Sequence, residues 1–238
     1  MNSAAKIRKV AEDFITFAGK LEYSMKKVNI ISLGCSKNLV DTELLMKQLE
    51  KAGYGVEVDV ENSKAKIVVI NTCGFIGDAK EESINTILEQ VERKQEGEVD
   101  KIYVMGCLSQ RYDQDLKKEI PEVDAYFGKF DWKGILAELG ISYDEKLRNE
   151  RNLTTPKHYA YLNISEGCNR GCSYCAIPIM TGEYKSRPFE EIVDEAERLA
   201  KQGVKELLVL AQEITYYGVD KDGKYRLAEL VDRIADIP

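Results

Sequence analysis

A chain of 238 residues is long enough for one large domain or two ordinary ones. Hydrophobic residues make up 44% and charged residues 32%, the balance of a globular protein, and no stretch approaches the roughly 20 unbroken apolar residues of a membrane helix, so a membrane partner is not expected. The net charge of −7 disfavours a large nucleic-acid footprint, direct DNA binding included, and leans toward a cationic partner such as a basic protein.

Residues 1–24 read as an amphipathic helical extension. Lys6, Arg8, Lys9, Glu12, Asp13, Lys20 and Glu22 interrupt every apolar core that a signal peptide would need. Without an export signal the expected compartment is the cytoplasm, where thiols stay reduced. Six cysteines there point to metal ligation or catalysis rather than to disulfides.

Met25 opens a new pattern and is the expected natural start. Val28-Asn29-Ile30-Ile31-Ser32-Leu33 is a short apolar run ending at Gly34-Cys35, the mark of a buried strand. Helix-forming residues follow from Asp41 to Ala52, with Leu44, Leu45, Met46 and Leu49 as the buried stripe. The unit then recurs. Lys66–Ile70 is a strand leading to Asn71-Thr72-Cys73-Gly74, a helix runs from about Ala79 to Lys94, and Lys101–Met105 leads to Gly106-Cys107. Alternation of strand and helix predicts parallel βαβ units in a flavodoxin-like or Rossmann-like sheet of three or four strands. This α/β domain is expected over 25–140, with a linker over 141–157 around Pro156.

A second domain is expected over 158–238. His158–Ser165 and Glu206–Leu210 read as strands, Arg187–Lys201 and Leu227–Ala235 as helices. Two βα units neither close a barrel nor make a covered parallel sheet, so this domain is expected to be incomplete.

Directly after the first of these strands stands Glu166-Gly167-Cys168-Asn169-Arg170-Gly171-Cys172-Ser173-Tyr174-Cys175. Three thiolates spaced in this way can wrap one face of a [4Fe–4S] cube and leave one iron without a protein ligand. Two plainer readings compete. Cys172-Ser173-Tyr174-Cys175 alone is a possible redox pair, but that leaves Cys168 unexplained. Structural zinc would need His158, ten residues upstream inside a strand. The cluster accounts for all three cysteines.

Cys35, Cys73 and Cys107 each follow the last apolar residue of a predicted strand by one to three positions, and each sits beside a glycine. In a parallel sheet these carboxyl ends share one edge, where ligands of open α/β sheets collect. Three unrelated buried cysteines would be the plainer reading. Their common placement favours a shared metal site.

The C-x3-C-x2-C spacing with Tyr174 before the last cysteine resembles the radical S-adenosylmethionine superfamily. From about Met25 onward the chain resembles its methylthiotransferase family, in which a cysteine-bearing N-terminal domain precedes the radical domain. The resemblance implies a partial TIM-like barrel as the second fold, an auxiliary [4Fe–4S] cluster on Cys35, Cys73 and Cys107, and a second on Cys168, Cys172 and Cys175. It further implies S-adenosylmethionine as cofactor, with Tyr174 near the adenine and Glu213 near the ammonium. Arg187 is a candidate for holding a carboxylate of the cofactor or substrate bidentately, against the plainer reading of a surface arginine at a helix start. Ser32–Asp41, Asn71–Ile76 and Ala176–Gly182 are similar to the branch that modifies the β-carbon of an aspartate in small-subunit ribosomal protein S-twelve. Gln212-Glu213-Ile214-Thr215 departs from that branch at Glu213 and Ile214. The other branch acts on transfer RNA and has Gln-Met-Asn after the first cysteine. A flavodoxin- or ferredoxin-type reductant is the further partner implied. A non-enzymatic iron–sulfur carrier is the rival of another class. The resemblance also implies further barrel strands and a C-terminal β domain beyond those present, so this chain alone is expected to be inactive on a macromolecular substrate.

Overall fold

The computed structural model describes residues 26–238; the helical extension and the start at Met25 read from the sequence lie outside them. Apolar β-branched runs supply β1 (Lys27–Ser32), β3 (Ile67–Thr72) and β4 (Lys101–Gly106), joined by β2 (Gly55–Val58) and β5 (Ala125–Tyr126). All pairings in this sheet are parallel and the order is β2-β1-β3-β4-β5. The sheet therefore has five strands rather than the three or four expected. β2 is only half-buried and β5 is two residues long, so neither carries a long apolar run.

Between the strands run α1 (Ser36–Lys51), α2 (Gly77–Gln95) and α3 (Cys107–Glu119), with α4 (Trp132–Glu138) following β5. The α1 helix starts five residues earlier than its apolar stripe suggested, directly after Cys35. Period-two alternation splits the strands between two cores. Val68, Ile70, Ile102 and Val104 pack with Ile87 and Val91 of α2 and with Leu108 and Leu116 of α3. Val28, Ile30, Val69, Tyr103 and Met105 pack on the other face with Leu45 and Leu49 of α1 and with Ile135 and Leu136 of α4. The result is a three-layer α/β domain.

The second domain pairs β6 (Tyr159–Asn163) in parallel with β9 (Glu206–Leu210). Its core joins Ala160, Leu162 and Ile164 to Ile192, Val193, Ala196 and Leu199 of α6 (Phe189–Lys201) and to Leu230 of α8 (Leu227–Ala235). An antiparallel hairpin of β7 (Ser165–Glu166) and β8 (Lys185–Ser186) closes the base of the loop holding Cys168, Cys172 and Cys175. The short α5 (Ile177–Thr181) sits inside that loop and α7 (Val219–Asp222) follows β9.

The two domains are docked through α1 against β6 and through α3 against α5. Buried charge holds the junction. Arg151, in the segment between the domains, pairs with Glu43 of α1 and with Glu195 of α6, and donates to the Tyr161 carbonyl. Arg187 adds a second contact to Glu195 at 2.8 Å. The segment expected to be a linker is thus clamped on both sides by carboxylates.

Candidate iron–sulfur and cofactor site

Because β1, β3 and β4 are parallel neighbours, the cysteines that follow them meet at one sheet edge. In the strand order 2-1-3-4-5 the crossover changes direction between β1 and β3, which opens a crevice at those carboxyl ends. Cys35 and Cys73 flank that crevice and Cys107 lies one strand further on.

Glycines let the three loops approach. A Cβ on Gly34 (φ +91°) would come within 2.6 Å of the Cys73 Cβ, and one on Gly74 within 2.7 Å of the Cys107 carbonyl oxygen. Gly106 (φ +106°) lies equally close against Thr72. Each cysteine loop therefore leans on the next through a residue that has no side chain.

Polar side chains stitch the same edge. Asn38 Nδ2 donates to the carbonyls of Leu33 (2.9 Å) and Thr72 (3.1 Å), tying the β1 end to the β3 end. Asn71 Nδ2 donates to the Asn38 carbonyl at 2.8 Å, and Thr72 Oγ1 to the Met105 carbonyl at 2.6 Å, tying β3 to β4. The Cys73 amide donates to Ser83 Oγ at 3.0 Å. Sequence reasoning singled out the cysteines but missed these residues; Asn71-Thr72 directly before Cys73 and Asn38 three residues after Cys35 were the available signal.

Cys35 caps α1 and Cys107 is the first residue of α3, so both face the partial positive charge of a helix start. Burial nevertheless pushes the Cys107 thiol up to about 11, with Lys129 opposing the shift and Cys35 and Cys73 adding to it. Lys129 is buried and pairs with Asp41 of α1 at 2.5 Å. Burial works against the Lys129 charge, but Asp41 and Glu166 outweigh it and hold the ammonium above its ordinary range.

In the second domain the cysteine loop starts at Gly167 (φ +73°), where a Cβ would run into the Glu183 carbonyl. The Cys168 amide donates to the Gly182 carbonyl at 3.2 Å, and the Arg170 amide points at Cys168 Sγ at 3.4 Å. Asn169 Oδ1 accepts from the Tyr184 amide at 2.9 Å, so the loop is pinned at both of its ends. Both triads show one gradient. Cys73 and Cys168 are buried, Cys107 and Cys175 are intermediate, and Cys35 and Cys172 are exposed.

The other three predicted residues are placed as follows. Glu213 accepts from Arg170 Nε at 2.9 Å and from the Thr215 amide at 3.2 Å, which puts its carboxylate against the cysteine loop. The Arg170 guanidinium also covers the Tyr216 ring. The Thr215 hydroxyl, Arg170 and the Thr215 amide hold Glu213 below its ordinary range despite partial burial. Tyr174 is 90% exposed. Arg187 is engaged within the protein, pairing with Glu195 at 2.8 Å and donating to the Asn163 carbonyl at 2.6 Å.

Among the described residues no three His, Cys, Asp or Glu side chains converge on one metal ion. A single zinc needs its thiolates about 2.3 Å from one centre, whereas a cube spreads three thiolates over three separate irons. The donor sets, all thiol and each on a glycine-lined rim, fit the latter. His158 is at the start of the second domain, edge-on to Tyr159.

Two α/β domains, each with three cysteines at a carboxyl edge, present two sites of the kind that hold iron–sulfur clusters. Residues 162–238 match the radical SAM superfamily, and residues 27–128 match the uncharacterized protein family UPF0004. Proteins named ribosomal protein uS12 methylthiotransferase RimO are similar over most of the chain. The one from Bacteroides thetaiotaomicron is 64% identical over 90% of this chain and 49% of its own length. Those from Porphyromonas gingivalis (59%; 89% and 49%) and Christiangramia forsetii (55%; 90% and 47%) cover similar shares. The chain spans about half the length of these curated relatives. A solved structure titled as the radical S-adenosylmethionine methyltransferase TsrM from Kitasatospora setae, with tryptophan and a SAM analogue bound, shares the fold. Its TM-score is 0.53 at 16% identity, covering 80% of this chain and 48% of that one. The chain thus carries a UPF0004 region followed by a radical SAM region, and over about nine-tenths of its length it is similar to proteins named as methylthiotransferases.

Proposed function

We propose that the full-length protein attaches a methylthio group to the β-carbon of an aspartate in ribosomal protein uS12. The observation that carries this reading is the docking of the two cysteine-bearing domains in one chain, through α1, which is capped by Cys35, against β6, which leads to Cys168. The relatives' shared name supports the substrate. When bound, the clusters and S-adenosylmethionine supply sulfur and a carbon radical able to take hydrogen from an unactivated C–H bond, where an acid or base has no foothold.

The chain's own residues hold and orient these groups. Cys35, Cys73 and Cys107 would hold the auxiliary cluster, and Cys168, Cys172 and Cys175 the other. Burial of Cys73 and Cys168 keeps water from the inner wall of each site. Glu213 offers a carboxylate beside the second triad for the cofactor's ammonium, and Tyr174 an aromatic face for its adenine. Arg187 fixes the end of β6 through the Asn163 carbonyl. No helix among the described residues is long and apolar enough to cross a membrane; the proposed setting is the cytoplasm, with a flavodoxin- or ferredoxin-type reductant.

The test uses anaerobically reconstituted full-length protein with S-adenosylmethionine, a low-potential reductant, and either a uS12 peptide or isopentenylated transfer RNA. Mass spectrometry should find one added methylthio group on the peptide aspartate. Modification of the RNA alone would move the chain to the other branch. A fully loaded protein that cleaves no cofactor would be a carrier.

A further inference from the structure

The cysteines of the two domains are far apart in sequence, yet one side chain spans them. Lys37 stands two residues after Cys35 in the first turn of α1, and its side chain is only 8% exposed. Its ammonium crosses into the second domain and reaches Asn163 Oδ1 (2.6 Å), the Ser165 carbonyl (2.8 Å) and Glu166 Oε1 (3.1 Å). Asn163 Nδ2 in turn donates to Glu166 Oε1 at 2.6 Å. Glu166 stands two residues before Cys168. The link from one cysteine loop to the other is therefore one lysine side chain with two residues on either side.

We propose that Lys37 is a positioning residue that sets the spacing and orientation of the two cysteine sites. The assignment rests on the reading of those sites as paired clusters. A lysine ammonium has three donor hydrogens, and three acceptors use all of them. None is left for a ligand or for proton transfer, so the group serves as a strut. Holding the domains together does not by itself require it. Arg151, clamped between Glu43 and Glu195, already joins them, and a buried charge is a costly way to gain adhesion that an apolar residue of equal size supplies.

What the charge adds is direction. Hydrogen bonds fix Lys37 at one end of α1, while Glu43 fixes the helix six residues on, about 9 Å along its axis. Asp41, one turn from Lys37, is held by Lys129 between these points. Two anchored points stop the helix from rolling or sliding on β6, and Cys35 is the residue that caps its start. Transfer between two sites is sensitive to such motion, since a misplacement of about 1 Å can cost on the order of a hundredfold in rate.

The test is Lys37→Met, which keeps length and removes the charge, in full-length reconstituted protein. Three quantities are read: iron and sulfide per chain, the magnetic interaction between the two reduced clusters by electron paramagnetic resonance, and cofactor cleaved per methylthio product. Expected are unchanged metal content, a weakened interaction, and at least about tenfold more cofactor cleaved per product. Unchanged interaction and unchanged ratio at full loading would overturn the assignment. Should Lys37→Met fail to hold its clusters, Glu166→Gln changes one partner at constant volume and should move the same two readouts in the same direction. Loss of clusters in both variants would make Lys37 a folding residue and also overturn it. A wild-type protein that holds two magnetically coupled clusters but modifies neither substrate would defeat the methylthiotransferase reading, while the coupling still decides the role of Lys37.

Discussion

Replacing Arg151 by Met removes the one cation among the described residues that both domains grip through carboxylates. Its side chain is 2% exposed, and those of its partners Glu43 and Glu195 are 0% and 6% exposed. Breaking a buried pair from one side costs about 3–5 kcal/mol, because a charge is left in a poor solvent. Here the lower end applies. Glu43 keeps the Thr154 amide (2.7 Å) and hydroxyl (2.9 Å), and Glu195 keeps Arg187. A loss of about 3 kcal/mol is a large share of a total stability of about 5–15 kcal/mol, and corresponds to a fall in melting temperature of roughly 6–12 °C. Urea titration followed by circular dichroism, with Trp132 fluorescence reporting the first domain alone, measures the change. Adding Glu43→Gln should restore part of it, since the stranded charge is then gone. A loss under about 1 kcal/mol, or a double variant no better than the single one, would refute the account of the junction.

Three further outcomes are expected. Cys73→Ala should remove about half of the iron in reconstituted protein and leave the second cluster's spectrum intact, as read by metal analysis and electron paramagnetic resonance. Gly167→Ala should do the reverse, because its Cβ meets the backbone of Glu183 at a left-handed position and distorts only the second cysteine loop; equal loss from both sites would contradict this. In metal-free protein at pH 8, iodoacetamide followed by peptide mass spectrometry should label Cys172 and Cys35 first and Cys107 slowly. With its pKa raised to about 11, Cys107 is thiolate to roughly one part in a thousand at that pH. Its labelling should accelerate only as pH rises toward that value, and equal rates at Cys107 and Cys172 would contradict the placement.

A cysteine beside a glycine at the end of each of three strands made the sheet edge legible in advance, since a parallel sheet puts every such step on the same side. The C-x3-C-x2-C loop was legible for the same reason that it works: its ligands are local in sequence. What stayed hidden is what pairing across distance decides. β5 exists because Ala125 and Tyr126 find Tyr103 and Val104, which no short window records. Lys37, Arg151 and Lys129 are buried cations, against every compositional expectation, and only their partners in other elements explain them. Glu213 read as a cofactor ligand by its place after β9, and its present contact with Arg170 depends on a loop folded from elsewhere in the chain.

Both rims carry apolar surface that folding of the described residues leaves uncovered. Phe75 (50% exposed) and Ile76 (55%) follow Cys73-Gly74, while Tyr174 (90%) and Ile179 (66%) belong to the second cysteine loop. Isolated exposed apolar residues are ordinary, but four beside two cysteine sites are not scattered. The proposed chemistry needs a dry enclosure, because a carbon radical must meet its target before it meets anything else. The wall of each enclosure toward the core is supplied by Cys73 and Cys168, and the outer wall is open at Cys35 and Cys172. On the proposed function, the bound cofactor and the substrate's own apolar surface supply that closure. Lys37 matters most in that arrangement, since an incoming surface can seal two rims at once only if they are held at a fixed spacing.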